Sequence, residues 1–311
     1  MPNIICIAGP TASGKTALAV ELAKELNGEV ISCDSMQIYR RMDIGTAKPT
    51  AEEMQGIPHH MIDVAEPDED FSVSRYCNMA TPILDDILSR GKTAIIAGGT
   101  GLYMDSLIRG NDFAPYPATG ARERLEKEAD ELGIDVMLTK LQSIDPDSAA
   151  KLHLADRKRI IRALEVFEET GETITAHNKR TQSIPPRYHA LWLGLDFEPR
   201  QALYDRIDLR VGLMLKQGLI EEIQNLLSSG IPAKCTAMQA IGYKEFVAAV
   251  NGNGTIENAA DEVRKASRHY AKRQLTWFRR NPEMNWLIRH EEENFAEILL
   301  RARQLVRQFD K

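Results

Sequence analysis

The chain is poor in cysteine, in aromatic residues and in long apolar runs, and each shortage excludes something. Its four cysteines, Cys6, Cys33, Cys77 and Cys235, are scattered through 311 residues and none sits in a C-x-x-C pair. A disulfide framework or a structural zinc site is not expected, and a reducing cytoplasm is the natural compartment. No apolar run approaches the ~18 residues needed to cross a bilayer. Met1-Pro2-Asn3-Ile4-Ile5-Cys6 lacks the basic segment and cleavage motif of a signal peptide. Positive charge is in deficit too: 39 Lys and Arg face 45 Asp and Glu, for a net charge of −6. That excludes a protein coating nucleic acid with its whole surface, but not one with a local basic face. No long exposed apolar heptad is present, so a monomer is expected. What remains is ordinary globular composition, 43% hydrophobic and 27% charged. It suits one large domain or two smaller ones.

The first hundred residues alternate between strand-like and helix-like patterns. Residues 3–8 form a short apolar run closed by Gly9-Pro10. Leu18, Leu22 and Leu26 recur at helical spacing before Asn27-Gly28. Residues 29–33 read as a second strand, Pro82 to Leu88 as a helix, and Thr93 to Ala97 as a third strand ending in Gly98-Gly99. This order predicts an α/β fold: a parallel sheet flanked by helices. From Arg122 to about Thr170 the pattern is charged and helical, and Gln182 to Arg187 reads as a linker. Ala190 to Leu195 returns to strand character. We therefore expect a helical insertion over 115–187 within a core built from 1–114 and 188–311. The part after Arg200 is expected to be mostly helical.

Gly9-Pro10-Thr11-Ala12-Ser13-Gly14-Lys15-Thr16 matches G-x-x-x-x-G-K-[ST]. The glycines let the backbone curl so that successive N–H groups face phosphate oxygens. Lys15 adds a cation there, and the Thr16 hydroxyl is placed to hold Mg²⁺. The motif follows a predicted strand and opens a predicted helix, as this loop requires. It grips a diphosphate or triphosphate without naming the rest of the molecule. Phosphate-loop NTPases usually take a metal-holding Asp from the end of another strand. The strand at 93–97 ends in glycines, whereas the one at 29–33 is followed by Asp34. Asp34 is thus a candidate for a metal-bound water, for a general base, or for capping the next turn. Thr100 is a candidate to contact substrate, to cap a helix, or to do both. Arg206 and Arg210 either supply charge to the diphosphate or pair with Asp205 and Asp208.

Further segments carry a resemblance. They are Asp34-Ser35-Met36-Gln37-Ile38-Tyr39-Arg40, Asp43-Ile44-Gly45-Thr46-Ala47-Lys48-Pro49, His59-His60-Met61-Ile62-Asp63-Val64, Phe71-Ser72-Val73 and Gly98-Gly99-Thr100-Gly101-Leu102-Tyr103. Asp156 to Glu165, Gln239 to Lys244 and Lys272 to Arg279 follow in the same order. Together with the phosphate loop, the series closely resembles the bacterial tRNA dimethylallyltransferases along the length of the chain. The resemblance implies a kinase-like phosphate-loop fold that binds dimethylallyl diphosphate rather than ATP. It implies transfer of the dimethylallyl group to N6 of the adenosine 3′ of the anticodon, position 37, in tRNAs reading codons that start with U.

The same resemblance assigns Asp34 as the base, with Lys15 and Thr100 beside it. The phosphate loop Gly9 to Thr16 and Arg206 would take the diphosphate. RNA contacts are implied at Asp34, Ser35, Met36, Gln37 and Thr100. They are also implied at Arg122, at Lys158, Arg159, Ile160, Ile161 and Arg162, at Gln239, Ala240, Ile241, Gly242, Tyr243 and Lys244, and at Lys272, Arg273, Gln274 and Arg279. Independently of the resemblance, residues 264–280 carry seven Lys and Arg and no acid, interleaved with His269, Tyr270, Trp277 and Phe278. Such a stretch neutralises phosphates and stacks on unpaired bases, or else is a solvated helix face. His59-His60 is not expected to bind metal, since neighbours on an extended segment point apart. Three other readings remain open: a small-molecule kinase, a transferase acting on free adenine nucleotides, and a nucleotide-gated RNA-binding protein.

Overall fold

A computed structural model describes residues 3–111, 119–290 and 293–309, except for the side chains of residues 182 and 183. It divides into two compact units, Met1–Gly110 with Arg187–Lys311, and Asn111–Pro186. The expected boundary at 114/115 lies outside the described residues.

The first unit is built on one parallel sheet. Strands β1 (Ile4–Ala8), β2 (Gly28–Ser32), β3 (His59–His60), β4 (Thr93–Gly98), β5 (Leu191–Glu198) and β6 (Met284–His290) lie in the order β3-β2-β4-β1-β5-β6. β1 is buried at all five residues, as a parallel strand covered on both faces must be. Helix α1 (Lys15–Glu25) packs Leu18 and Leu22 against Ile5, Ile7, Val30 and Ile95. Between β2 and β4 come the short α2 (Ala51–Met54) and then α3 (Val73–Ser89). α4 (Gly101–Arg109) follows β4.

In register, Ala8 pairs with Gly98 and with Gly194, and Ser32 pairs with Ala97. The segments that follow β1, β2 and β4 therefore leave the sheet side by side. The crevice at the carboxyl ends of parallel strands is where such sheets bind ligands.

One expectation is corrected. Helix α3 begins at Val73, capped by Ser72, whose hydroxyl accepts from Arg75 N at 3.1 Å, and runs through Pro82. Proline removes one helical donor, but Tyr76, Cys77, Ala80, Leu84 and Ile87 bury a continuous face that holds the helix together. The region after Arg200 is mostly helical, as expected, and its strand β6 closes the sheet beside β5, with Trp192 opposite Met284 and Glu198 opposite His290. β6 is an edge strand with only Met284 and Leu287 buried, so it lacks the continuous apolar run of the interior strands. Around it lie α10 (Arg200–Lys216), α11 (Leu219–Ser228), α12 (Lys244–Val250), α13 (Ile256–Phe278) and α14 (Phe295–Gln308), which follow the helices of the second unit along the chain.

That second unit is helical: α5 (Ala121–Leu132), α6 (Ile134–Ile144), α7 (Pro146–Ala149), α8 (Arg157–Thr170) and α9 (Ile174–Ser183). They enclose a core of Leu125, Met137, Leu141, Ile160 and Leu164. Asp145 is buried and joins two of its helices. It accepts from the Thr175 amide and hydroxyl at 2.9 and 2.7 Å and from Ser148 N at 3.1 Å. Burial alone would raise its pKa, but these donors hold it below the ordinary value.

At the amino-terminal end of the sheet, away from the crevice, Glu29 is 3% exposed. It accepts from Arg90 Nη2 at 2.9 Å, Lys92 Nζ at 2.7 Å and His60 Nε2 at 2.8 Å. Hydrogen bonds from Arg90 above all, then Lys92 and His60, drive its pKa far below the carboxylate range despite burial. Glu29→Gln is expected to cost about 2–3 kcal/mol at neutral pH, since it removes charged hydrogen bonds from a buried site. A depressed carboxylate stabilises above its unfolded pKa of ~4.3 and loses that stabilisation as pH falls. In urea titrations the gap between wild type and Glu29→Gln should therefore narrow below about pH 4. A gap unchanged at acid pH would show that packing, not charge, makes the contribution.

Candidate active site

The phosphate loop has the backbone its sequence demands. Gly9 has φ 155°, and a Cβ there would lie 3.0 Å from both the Leu195 carbonyl and Ser13 Oγ. Gly14, φ 95°, precedes α1 with no side chain capping it, which leaves the helix N-terminus open to an anion. Lys15 Nζ donates to the Pro10 carbonyl at 2.7 Å, so its charge sits over the loop. Burial pushes Lys15 down to about 8; the Asp34 charge opposes this and Arg210 adds to it. Ser13 Oγ is buried and has no hydrogen-bond partner among the described residues. A buried orphan hydroxyl inside an open anion cradle fits a ligand oxygen.

Asp34 and Thr100 follow the neighbouring strands β2 and β4. Asp34 Oδ1 accepts from Met36 N at 2.9 Å, which is the turn-capping role. One oxygen suffices for that, and Oδ2 is left for other work. Thr100 occupies the N-cap position of α4 but makes no side-chain cap. Its Oγ1 instead accepts from Ser35 N at 3.0 Å and lies 3.3 Å from Ser35 Oγ, tying the loop after β2 to the loop after β4. Gln37 is engaged inside its own loop, accepting from Ser32 Oγ at 2.9 Å and donating to the Ala47 carbonyl at 3.2 Å. Met36 packs, partly buried, on the apolar cluster around Tyr39, Met42 and Tyr243.

Two arginines of α10 approach the loop. Arg206 Nε donates to the Ala12 carbonyl at 2.9 Å while its guanidinium lies over the Phe197 ring. Burial, then the Arg289 charge, lowers its pKa. Arg210 is set deeper, and burial lowers its pKa while Asp34 and Glu53 pull it back up. It shares the field of Lys15 and Asp34. Behind the loop, a cavity of about 220 Å³ is lined by Ser13, Gly14, Asp196, Phe197, Arg206 and Arg289 among others.

Sequence reasoning singled out the basic stretch of α13 for RNA, not as a wall of the crevice. Tyr270, Gln274 and Trp277, at i, i+4 and i+7, make one helical stripe. Burial pushes Tyr270 up to about 12, the Asp34 charge adding and a Thr100 hydrogen bond opposing. Gln274 reaches both the phosphate loop and the turn after β4. Trp277 Nε1 donates to Asp105 Oδ2 at 2.8 Å, and the indole sits where a Cβ on Gly101 would fall, 2.2 Å away. The spacing was legible; that this face turned toward the crevice was not.

Several residues expected at the RNA turn out to have buried side chains. Ile160 and Ile161 are 0% and 2% exposed within the second unit's core. Tyr243 is fully buried and donates to Glu222 Oε1 at 2.7 Å; Gly242 and Gln274 are buried too. Ile160, Ile161, Tyr243 and Gln274 thus pack their side chains inside the protein. Gln239 donates to the Ala233 carbonyl, and Ala240 and Ile241 pack, partly buried, on the same apolar cluster as Tyr243. Exposed are Lys158, Arg159, Arg162, Lys244, Lys272 and Arg273, and Arg122, which pairs with Glu126. Arg279 pairs with Asp196 at 2.9 Å.

The family profile described as "IPP transferase" matches residues 37–281, and "Isopentenyl transferase" matches residues 2–70. The chain belongs to the IPP transferase family. Among its relatives, the tRNA dimethylallyltransferase of Thermoanaerobacter sp. (strain X514) is 48% identical, with 95% of each chain covered. That of Acetivibrio thermocellus is 45% identical, with 96% of each chain covered. Two solved structures are similar. The tRNA isopentenylpyrophosphate transferase from Bacillus halodurans has a TM-score of 0.74 and 42% identity, covering 98% of this chain and 95% of that one. A eukaryotic dimethylallyltransferase acting on tRNA has a TM-score of 0.84 and 30% identity, covering 98% and 79%. The fold of this IPP transferase family member is accordingly phosphate-loop NTPase-like, and the chain is a prenyltransferase.

Proposed function

We propose that the chain transfers the dimethylallyl group of dimethylallyl diphosphate to N6 of adenosine 37 in tRNAs reading codons that start with U. The products are N6-(dimethylallyl)adenosine and diphosphate. The observation that carries the reading is the convergence of the open phosphate loop, the second oxygen of Asp34 and the non-capping hydroxyl of Thr100 at the carboxyl ends of adjacent strands.

In this reaction the bond between the allylic carbon and the diphosphate oxygen breaks as the N6–carbon bond forms. Negative charge grows on the leaving diphosphate, where the loop amides, Lys15, Arg206 and Arg210 stabilise it. The exocyclic amine is weakly nucleophilic because its lone pair is delocalised into the ring. Asp34 Oδ2 takes the N6 proton, so no positive charge is stranded on the base. Thr100 and the loop tied to it at Ser35 orient the adenosine. Among the described residues no three metal-binding side chains cluster, so Mg²⁺ at Thr16 would draw its other ligands from diphosphate oxygens and water, which suits a hard cation. When bound, it supplies further charge to the leaving group.

In this reading α13 offers one RNA-contacting face, and the second unit, taken by itself, offers another. Lys272 and Arg273 are exposed and have no carboxylate partner among the described residues, whereas Arg279 is held by Asp196. Lys272→Gln with Arg273→Gln should weaken binding of an anticodon stem-loop and reduce its log–log salt slope by about 1.5–2. An unchanged slope would remove this face from the interface. The chain is taken to act as a monomer in the cytoplasm; among the described residues no helix is long and apolar enough to cross a membrane.

The deciding experiment gives the protein, with Mg²⁺, labelled dimethylallyl diphosphate and either an anticodon stem-loop or AMP. Label on the stem-loop alone is the expected result. Label on AMP would make this a nucleotide prenyltransferase, and ATP consumption without transfer would return it to the kinases.

A further inference from the structure

One buried amide joins two parts of the crevice that come from distant stretches of chain. Gln274, on the crevice-facing stripe of α13, is 6% exposed. Its Oε1 accepts from Thr11 N at 3.1 Å, and its Nε2 donates to the Gly99 carbonyl at 2.9 Å. Thr11 lies in the phosphate loop after β1, and Gly99 in the turn after β4. The orientation of the side-chain amide is fixed by chemistry, because a backbone N–H only donates and a carbonyl only accepts. Oxygen and nitrogen are rigidly spaced on one planar group. Both bonds can therefore form only when the loop and the turn are held at one separation.

The turn is shaped for this side chain. A Cβ on Gly99 would lie 2.1 Å from Gln274 Nε2, so any other residue at 99 would displace it. Immediately before Gln274 in sequence, Lys272 and Arg273 are exposed on the same helix.

We propose that Gln274 is a positioning residue for the diphosphate loop. By engaging Thr11 N–H and the Gly99 carbonyl together, it holds the loop in its anion-gripping form and ties that form to the helix carrying Lys272 and Arg273. The inference rests on the diphosphate reading of the loop. It assigns Gln274 to the donor substrate, in place of the RNA contact expected from sequence.

Gln274→Met keeps the buried volume and removes both hydrogen bonds. Gly99→Ala leaves the glutamine in place but pushes its amide away, which a flexible side chain allows without unfolding. Each variant, checked by thermal melting, is titrated with inorganic pyrophosphate and Mg²⁺ and, separately, with an anticodon stem-loop. Pyrophosphate affinity should fall about five- to thirty-fold, the equivalent of two lost neutral hydrogen bonds. Stem-loop affinity should stay within about twofold, and the double variant should be no worse than the poorer single one, because the two changes break the same clamp. In turnover, KM for dimethylallyl diphosphate should rise with kcat little changed, the pattern of lost uniform binding.

Pyrophosphate affinity within about twofold of wild type in both folded variants would overturn the proposal. So would a loss confined to the stem-loop. If wild type itself bound no pyrophosphate, the diphosphate reading would fall first and take this inference with it.

Discussion

Asp34→Asn is expected to lower kcat by about 10²–10⁴, the usual contribution of a general base, while leaving substrate binding almost intact. The argument is geometric. Asp34 Oδ1 is already occupied by Met36 N at 2.9 Å, and the amide oxygen of asparagine accepts that bond equally well. The turn after β2 should therefore survive, and with it the Ser35 amide that donates to Thr100. What changes is the second atom, from an oxygen that takes a proton to an NH₂ that cannot. A stem-loop affinity within about twofold of wild type, together with near-complete loss of single-turnover transfer, would separate base chemistry from folding. Retained transfer in the asparagine variant would show that Asp34 is only a turn cap. It would then leave the N6 proton to bulk water.

How much of this site the sequence disclosed depended on how local each feature is. The phosphate loop is eight consecutive residues whose glycines, lysine and threonine act through their own backbone, and it was read completely. Asp34 was found because it follows a recognisable buried strand. Thr100 was located, but that its hydroxyl leaves the cap unmade and turns to Ser35, 65 residues away in the chain, was not legible. The basic stretch of α13 looked uniform in sequence. Folding divides it: Arg268 pairs with Asp208, Arg279 with Asp196, and Lys272 and Arg273 remain exposed. Partners 60 and 83 residues away leave no local trace. The same holds for β6, an edge strand whose half-exposed pattern matches neither a buried run nor a helix, and for the first half of α3, which Pro82 hid and which packing sustains.

Lys15→Met is expected to reduce kcat/KM for dimethylallyl diphosphate by about 10²–10³, comparable to losing one donor at a developing anion. The wild-type pH profile gives an independent check. With Lys15 at about 8 in the free protein, the ammonium is present at neutral pH and is lost as pH rises through that value. Only the charged form grips the diphosphate, so kcat/KM should fall toward tenfold per unit above about pH 8. The donor's own phosphate charges, which titrate near pH 6, are constant over that range. In Lys15→Met this alkaline limb should vanish, because the group that titrates is gone. Bound diphosphate favours the ammonium, so kcat at saturating donor should keep its activity to higher pH than kcat/KM does. The field around Lys15 also sets a sign for Asp34→Asn. Removing the Asp34 charge leaves burial and Arg210 unopposed, so pyrophosphate binding in that variant should weaken at a lower pH than in wild type. A limb that stays put in Asp34→Asn and persists in Lys15→Met would belong to another group, and Lys15 would then be no more than a fixed cation over the loop.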